Sequence, residues 1–373
     1  MRQTNKIRKG IAWLLCTVLV LGILPMLPQM SMQISAAENA ASVFVDGVEL
    51  HAGGKEYFKN GDTADSGATG TYEDHSAYYD TAGELWLNNL EAHTIKANGN
   101  LTIYVCNNQA TNTNIVTATQ NETAIEVTGY LTIRYGGYGG GTGSLTVESD
   151  GKEAIQAGSG MTVSDGVEVK ARAKSGATAI SSGGVLKIDG IRTKLEAAGD
   201  GSTGKGIFAQ QSIYVKNSAV LTAFGGAAAY ESPSGIDKSG YGYEDYNVFT
   251  GDAAPGTQAA KDTVLDSYKY IRIEPTGVAN VKTLTELQAA AQNQYISLIN
   301  VMNDITITDT VYVRRAVTIQ SPDVSNVSKL IRGKSHTDVI LDFDGANGHK
   351  SDVVTLKNII VDGNKDGNTQ TAS

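Results

Sequence analysis

Apolar residues come along this chain in short pulses that are separated by polar, glycine-rich stretches, and the pulses repeat. One phrase returns five times, as Leu101-Thr-Ile, Leu131-Thr-Ile, Met161-Thr-Val, Leu186-Lys-Ile and Ile213-Tyr-Val. A second short apolar segment precedes each of the last four phrases, and a third follows it. Each unit of about 25 to 30 residues therefore contains three short strands with turn residues between them, as is typical of a parallel β-helix. The pattern therefore predicts an all-β fold, a right-handed parallel β-helix. Four isoleucines, each six residues before a phrase, should form one inward stack: Ile125, Ile155, Ile180 and Ile207.

A different pattern begins after Pro275. Thr283 and Glu286 have the spacing of a capping box, and the apolar residues that follow share one face of a short helix ending near Asn293. Strand pulses then resume from Ile296. The sequence predicts one short capping helix near 283–293, followed by two or three coils of a second solenoid module.

The first 37 residues have the pattern of a secretion signal. Basic residues precede an apolar run from Ile11 to Leu27, and Ser35-Ala36-Ala37 offers small residues for cleavage. Pro25 and Pro28, late in the run, favour cleavage over the alternative of a retained membrane anchor. The mature chain is therefore predicted to be extracellular.

Removal of this segment changes the charge of the chain. The signal holds four basic and no acidic residues, so the mature chain has 26 Lys and Arg against 39 Asp and Glu, a net charge of −13. Such an acidic balance argues against nucleic acid as a partner. Cys106 is then the single cysteine, which excludes an intrachain disulfide.

The region from Ala40 to Leu90 predicts an N-terminal hairpin module. Residues 42–50 alternate around Asp46-Gly47, a strong hairpin signal, and a Leu-Trp-Leu-Asn-Asn strand follows a Tyr-Asp pair. Far downstream, Thr250-Gly-Asp-Ala-Ala-Pro-Gly precedes a Tyr-Lys-Tyr-Ile-Arg-Ile-Glu strand. In this order the motifs resemble exported surface proteins of Gram-positive, largely clostridial bacteria, with carbohydrate-binding domains of parallel β-helix type. The resemblance covers about 40–274 and implies glycan binding at or near a cell wall, in some members with calcium.

The later coils carry a second resemblance. The helix, followed by Thr-Val-Tyr-Val, Val-Thr-Ile and Leu-Lys-Asn-Ile-Ile-Val-Asp-Gly-Asn, is similar to the opening coils of pectin-lyase-like β-helices. The absence of a capping element after these coils predicts a fragment of a longer protein, because an open solenoid end exposes apolar core. The predicted domains are a signal peptide at 1–37, a hairpin with a carbohydrate-binding-like β-helix at 38–275, and the start of a pectin-lyase-like β-helix at 276–373.

Charged residues alternate with apolar ones in the closing strands of the coils. Stacking these strands pairs opposite charges on the outer face: Glu168 with Arg192, Arg172 with Glu196, and Glu148 with Lys170. Each pair contributes about 0.2 to 1 kcal/mol, which favours one register but does not indicate chemistry. The sequence between Leu101 and Phe224 has no acidic cluster of the kind that a calcium-dependent lyase needs.

Tyrosine is the residue type that points to a binding site. The chain has 17 tyrosines, and two groups of them fall in predicted loops. Exposed rings stack on the apolar faces of sugars while their hydroxyl groups stay in water. The alternative is that these rings fold back over the solenoid as lids. The predicted carbohydrate-binding residues are Tyr135, Tyr138, Tyr241, Tyr243 and Tyr246.

One motif matches the first half of a calcium loop. Asp362, Asn364 and Asp366 alternate before Gly367, but Ser373 stands where a bidentate glutamate belongs. The same residues are also ordinary turn formers, so both interpretations stay open. The five histidines have no metal-ligand spacing. The sequence requires no cofactor, and calcium is the one ion that it suggests.

These patterns together predict an exported protein, secreted or associated with the cell wall. It should bind a polysaccharide or cell-wall glycan, or adhere, without catalysis in this segment and without contact with a membrane apart from the signal. The first alternative is the N-terminal part of a β-helix polysaccharide lyase or glycosidase, and the second is a structural stalk. The identity of the glycan stays open.

Overall fold

The computed structural model describes residues 38–71, 73–106, 113–137, 142–313, 315–343 and 353–364. In these residues the chain winds through about nine turns of a parallel β-solenoid with a single short α-helix. The predicted fold class is therefore confirmed. No helix of the described residues is long and apolar enough to cross a membrane.

The strands of the N-terminal module and the repeating coils follow one another closely. The first are β1 (Ser42–Val45), β2 (Val48–His51), β3 (Tyr57–Phe58), β4 (Ala77–Tyr79), β5 (Glu84–Leu87), β6 (Glu91–Ala92), β7 (Ile95–Ala97), β8 (Leu101–Val105), β9 (Asn114–Gln120), β10 (Ile125–Val127) and β11 (Tyr130–Tyr135). The coils continue with β12 (Ser144–Asp150), β13 (Ile155–Ala157), β14 (Gly160–Ser164), β15 (Glu168–Lys174), β16 (Ile180–Ser182), β17 (Leu186–Asp189), β18 (Lys194–Gly199), β19 (Lys205–Ala209), β20 (Ile213–Lys216), β21 (Val220–Gly225) and β22 (Ala228–Glu231).

The later part of the chain adds longer strands and the helix. It contains β23 (Ile236–Asp237), a 3-10 helix (Ser239–Tyr241), β24 (Glu244–Gly251), β25 (Thr257–Ala259), β26 (Tyr270–Val281) and α1 (Leu284–Gln292). After the helix come β27 (Leu298–Val301), β28 (Ile305–Ile307), β29 (Val311–Tyr312), β30 (Val317–Gln320), β31 (Lys329–Arg332), β32 (Leu341–Asp342), β33 (Val354–Lys357) and β34 (Ile360–Asp362).

Three long sheets form the sides of the solenoid. The first sheet has the order β2-β1-β7-β10-β13-β16-β19-β22, and the second has the order β23-β20-β17-β14-β11-β8-β5-β4-β3. The third has the order β33-β30-β27-β26-β21-β18-β15-β12-β9-β6, with β24 and β25 paired beside it. Two short sheets, β28-β31-β34 and β29-β32, belong to the later coils.

The predicted isoleucine stack is confirmed. Ile125, Ile155, Ile180 and Ile207 are direct neighbours in the first sheet and have no exposed surface. The repeated phrase forms the matching rows of the second sheet, in which Leu131 aligns with Met161 and then with Leu186. Because side chains alternate along a strand, the polar residues between these positions face outward.

Two local predictions are also confirmed. Asp46 (φ 52°) and Gly47 (φ 78°) both have positive φ, as a type I′ turn requires, and they join β1 to β2. Thr283 and Glu286 form the capping box of α1, whose C-cap is Asn293. At this end of the helix the Arg315 guanidinium donates to the carbonyls of Ala290 and Ala291 (2.8 and 3.1 Å), so the last turn is capped by a cation.

The buried apolar residues form two clusters that one strand connects. The first cluster extends from Ala40 to Ile273 and the second from Ala279 to Ile340. The first part of β26 pairs antiparallel with β21, and its last four residues pair parallel with β27. The predicted domain boundary at position 275 thus falls inside a strand that is common to both clusters, and the boundary stays a prediction.

A buried polar network lies at the junction of these clusters. Glu244 is 7% exposed, and its carboxylate accepts hydrogen bonds from Ser218 Oγ (2.7 Å) and Asn293 Nδ2 (2.9 Å). Burial raises the pKa of Glu244, and the two hydrogen bonds oppose part of that rise. Ionisation of Glu244 is therefore less favourable in the folded chain than in the unfolded chain.

The last described coil leaves its inward rows uncovered. Leu356 continues the row of Ile319 and is 42% exposed, and Val361 continues the row of Leu330 and is 44% exposed. The corresponding residues one coil earlier are fully buried.

Ile180→Asp is expected to unfold the neighbouring coils. A carboxylate in this stack would be buried without a partner, which costs about 3 to 5 kcal/mol. Thermal or urea unfolding followed by circular dichroism measures the loss. Ser181→Asp is the matched control, because Ser181 follows Ile180 and faces outward, and equal losses for the two variants would contradict the assigned register.

Glu244→Gln is expected to remove a pH-dependent component of stability. Because the pKa of Glu244 is raised in the folded chain, its contribution is fully present below its ordinary value of 4.5 and is lost as pH rises through the folded pKa. Glutamine keeps an acceptor for Asn293 and a partner for Ser218 without the charge. The variant should be more stable than the natural chain at neutral pH and should match it below pH 4.5.

Urea unfolding at a series of pH values tests this expectation. Glu49→Gln serves as the control, because Glu49 is exposed on β2 and should change stability little at any pH. A Glu244→Gln variant that is less stable at neutral pH would show that the charge itself supports the junction.

Candidate functional site

Three rows of outward side chains cross the third sheet. The strands β12, β15, β18 and β21 run parallel, and β26 returns antiparallel beside β21. The rows are Ser144–Glu168–Lys194–Val220, Thr146–Lys170–Glu196–Thr222–Arg272 and Glu148–Arg172–Ala198–Phe224–Tyr270. Charges of both signs are thus interspersed on one face, next to two aromatic residues.

The predicted charge pairs are wrong in register. Glu168 lies beside Lys194 and not Arg192, Arg172 lies beside Ala198 and not Glu196, and Glu148 lies beside Arg172 and not Lys170. A shift of two residues leaves every side chain on its face, so the apolar pattern cannot detect it.

Arg192 instead lies in the turn between β17 and β18, with a φ of 66°. From there its guanidinium contacts the Tyr295 ring and donates to Gln294 (3.0 Å). Arg192 therefore belongs to this turn, although the predicted register placed it in the strand that follows.

The rows line a groove of about 890 Å³. We call it the charged groove and define it by the outward residues of β12, β15, β18, β21 and β26 that surround Glu196. Ala254, in the loop between β24 and β25, also lines it. Its volume lies within the range of about 300 to 1,000 Å³ that is usual for ligand sites.

The four basic side chains of the groove already have carboxylate partners. Arg172 donates from Nε and Nη2 to one oxygen of Asp200 (3.0 and 2.6 Å). The other pairs are Lys170 with Glu168 (3.1 Å), Lys194 with Glu168 (3.9 Å), and Arg272 with Glu274. Such exposed pairs contribute at most about 1 kcal/mol each, so a ligand with hydroxyl groups can compete for the same donors and acceptors.

Phe224 and Tyr270 form an aromatic wall on one side of the groove. Phe224 is half-buried and Tyr270 is 4% exposed. Burial raises the pKa of Tyr270, Arg272 lowers it, and Glu274 and Glu196 raise it further. The phenol therefore stays protonated at physiological pH and places apolar carbon beside charged hydrogen-bonding groups.

Tyr241, one of the predicted binding residues, is buried in the structure. Tyr241 is 2% exposed, its ring stacks on Tyr246 at 4.8 Å, and its hydroxyl donates to the carbonyl of Ala219. Burial raises its pKa. A ring that is covered in this way cannot present a face to a sugar, and it lies where the lid alternative would place it.

The other predicted tyrosines are less enclosed. Tyr243 and Tyr246 are half-buried, and burial raises the pKa of Tyr243 to about 12. The ammonium of Lys261 lies 5.1 Å from the ring centroid of Tyr246. Tyr135 is half-buried against the first cluster, and Tyr138 lies outside the described residues. Sugar binding by these tyrosines stays a prediction.

A ladder of aromatic rings crosses the outer face of the second sheet. Tyr57 stacks on Tyr78 at 4.8 Å, and Trp86 stacks on Tyr104 at 4.1 Å with an interplanar angle of 7°. The Arg134 guanidinium lies 5.3 Å from the Tyr104 ring centroid. Because these rings cover one another's faces, the ladder stabilises the N-terminal module rather than offering a platform for stacking.

The predicted calcium residues are only partly described. Asn364 donates from its backbone to Asp362 Oδ1 (2.8 Å) and from Nδ2 to the carbonyl of Arg332 (2.9 Å), which are contacts of an ordinary turn. Asp366 lies outside the described residues. Within the described ranges, no three His, Cys, Asp or Glu side chains are grouped so that they could hold a metal ion. Calcium binding stays a prediction.

Sequence reasoning missed the aromatic wall and therefore the groove. The charged residues were visible as alternating positions, but Tyr270 and Arg272 come about 46 to 50 residues after Phe224 and Thr222 in the chain. The alternation of residues around Tyr270 predicts a strand, but it does not predict which other strand this one pairs with. The antiparallel return of β26 is what places these residues together.

Comparison with known proteins adds information on the C-terminal part of the chain. Residues 278–373 match a family model described as a putative pectate lyase-like adhesive domain. No curated protein and no solved structure matches the chain significantly. The match supports an adhesin-like or carbohydrate-associated role, and every residue of the charged groove precedes the matched segment.

Tyr241→Ala is expected to lower the free energy of unfolding by about 3 kcal/mol or more, because it empties a buried aromatic site. Tyr241→Phe should lose about 1 kcal/mol, the contribution of the hydrogen bond to Ala219. Urea unfolding measures both losses. Tyr214→Ala is the control, because Tyr214 is half exposed on β20, and a loss as large as that of Tyr241→Ala would contradict the assigned burial.

Proposed function

We propose that this chain is part of an exported, surface-associated protein that binds carbohydrate in the charged groove and acts in adhesion. The match of residues 278–373 to a pectate lyase-like adhesive domain supports the adhesive role. The secretion pattern of residues 1–37 and the resemblance of residues 40–274 to carbohydrate-binding β-helices support export and glycan binding.

The charged groove is the observation that carries this proposal. A sugar combines hydroxyl groups, which both donate and accept hydrogen bonds, with apolar C–H faces. The groove has guanidinium and ammonium donors, carboxylate acceptors and the aromatic carbon of the half-buried Phe224 on one surface. Phe224 and the charged side chains are exposed or half-buried, so binding to them requires no opening of the core, and Tyr270 is buried beside Phe224.

The shape of the groove favours a chain of sugars over a single one. It extends across five strands of the third sheet, from β12 to β26. At about 4.8 Å between strands, this distance is about 19 Å along the solenoid. An extended oligosaccharide lying across the coils would contact a new strand at each step. The proposed partner is therefore a polysaccharide or a cell-wall glycan.

We place this function in binding rather than in catalysis. The groove holds most of its carboxylates in ion pairs that are spread over the sheet, such as those of Glu168, Asp200 and Glu274. A glycosidase needs two carboxyl groups that face each other across one bond, and a lyase needs a metal or base beside the sugar carbon. The proposed binding needs neither of these arrangements and no cofactor.

The double variant Phe224→Ala/Arg172→Ala is expected to weaken glycan binding by about tenfold or more. It removes an apolar contact and a two-hydrogen donor, each contributing on the order of 1 kcal/mol. Binding is measured on a glycan array and then by calorimetry with the glycans that bind. The matched control is Phe44→Ala/Lys96→Ala, which removes an exposed phenylalanine and a lysine from the outer face of the first sheet.

The same preparation distinguishes the alternatives. Binding that both double variants reduce equally would place the site elsewhere on the protein. A structural stalk would bind no glycan on the array. A lyase or glycosidase would release unsaturated or reducing ends from a polysaccharide, and such turnover by the purified chain would contradict the proposal.

A further inference from the structure

We infer that the charged groove prefers a sugar that carries a free amine over one that carries a carboxylate, and that Glu196 is the partner of that amine. This inference rests on the proposed function, because it concerns the ligand of the same groove. The proposed function does not specify an order of affinity among glycans, and Glu196 would determine that order.

The distribution of ion pairs distinguishes Glu196 from the other charged residues of the groove. Each of the four basic side chains that line the groove has a carboxylate within 4.0 Å, and Lys170 and Lys194 share Glu168. Glu148 is paired with Lys174 just outside the groove (3.1 Å). In the part of the chain that the structure describes, no basic group lies within 4.0 Å of the Glu196 carboxylate.

The surroundings of Glu196 suit a cation. Glu196 is exposed, and its direct neighbours across the sheet are Lys170 on one side and Thr222 on the other. Beyond Thr222 the row ends at Arg272 on β26, while Phe224 and Tyr270 of the aromatic wall belong to the neighbouring row. An exposed carboxylate without a basic partner within 4.0 Å can accept charge-assisted hydrogen bonds from an ammonium group.

An anionic sugar meets the opposite situation. A uronate carboxylate would have to displace Asp200 from Arg172 or Glu274 from Arg272, or compete with Glu168 for the two lysines Lys170 and Lys194. It would also approach the uncompensated charge of Glu196. A sugar ammonium needs no such displacement, because its partner is already available.

The competing arrangement is an exchange of lysine partners. Lys170 is the sheet neighbour of Glu196, although its ammonium lies 3.1 Å from Glu168. Glu168 retains Lys194 as a second partner, so Lys170 is the side chain that is able to turn toward Glu196. In that case an amine on the sugar would gain little over a neutral sugar, and the experiment below measures this difference.

The experiment compares three oligosaccharides of equal length. They are a glucosamine oligomer, its N-acetylated counterpart and a galacturonate oligomer, with calorimetry at a mildly acidic pH where the amine is protonated. The glucosamine oligomer should bind about fivefold more tightly than the N-acetylated one, as one partly exposed ion pair allows. The galacturonate oligomer should bind most weakly. The preference for the amine should shrink at high salt and at an alkaline pH where the amine is neutral.

Glu196→Gln should bring the ratio of the glucosamine to the N-acetylated affinity close to one. Glu126→Gln is the matched control, because Glu126 faces outward on β10 in the first sheet and should leave the ratio unchanged. Equal affinities for the two oligomers, a preference for galacturonate, or a ratio that Glu196→Gln does not alter would each overturn the inference. Binding of the N-acetylated oligomer without an amine preference would overturn the inference alone. Failure of every glycan to bind would overturn the proposed function.

Discussion

The structure depends on one constraint, which is that each coil buries its apolar row only against the coils next to it. Ile125, Ile155, Ile180 and Ile207 are buried because each has a neighbour above and below in the first sheet. The parallel backbone hydrogen bonds hold these rows in line, and the alternation of side chains sends the residues between them outward.

This constraint leaves the outer face free to vary. The inner rows fix where a strand lies, so the outward positions of the third sheet accept glutamate, lysine, arginine and small residues without loss of packing. Their exposed ion pairs are weak individually, but together they keep a surface with many charges close to neutral. A surface of this kind offers many hydrogen-bond donors and acceptors at a low net charge, and for this reason we propose carbohydrate rather than a highly charged polymer as its ligand.

The departure from simple stacking is what creates the candidate site. After β23 the chain leaves the coil pattern, forms the β24–β25 pair and returns as β26 in the antiparallel direction. This return brings an aromatic wall to the last charged row, and it also carries the chain into the second apolar cluster. The groove and the buried network of Glu244 are therefore two consequences of one excursion, on the outside and the inside of the same junction.

The sequence by itself determined the features that repeat or that depend on near neighbours. The coil period, the isoleucine stack, the Asp46-Gly47 turn and the capping box of Thr283 all follow from spacings of a few residues or from a regular repeat. Tertiary structure alone decided the register of the charged rows, because a shift of two residues leaves each side chain on the same face. It also decided that Tyr241 is buried and that Tyr270 lies beside Phe224, because both depend on contacts between residues about 20 to 50 positions apart that no local pattern encodes.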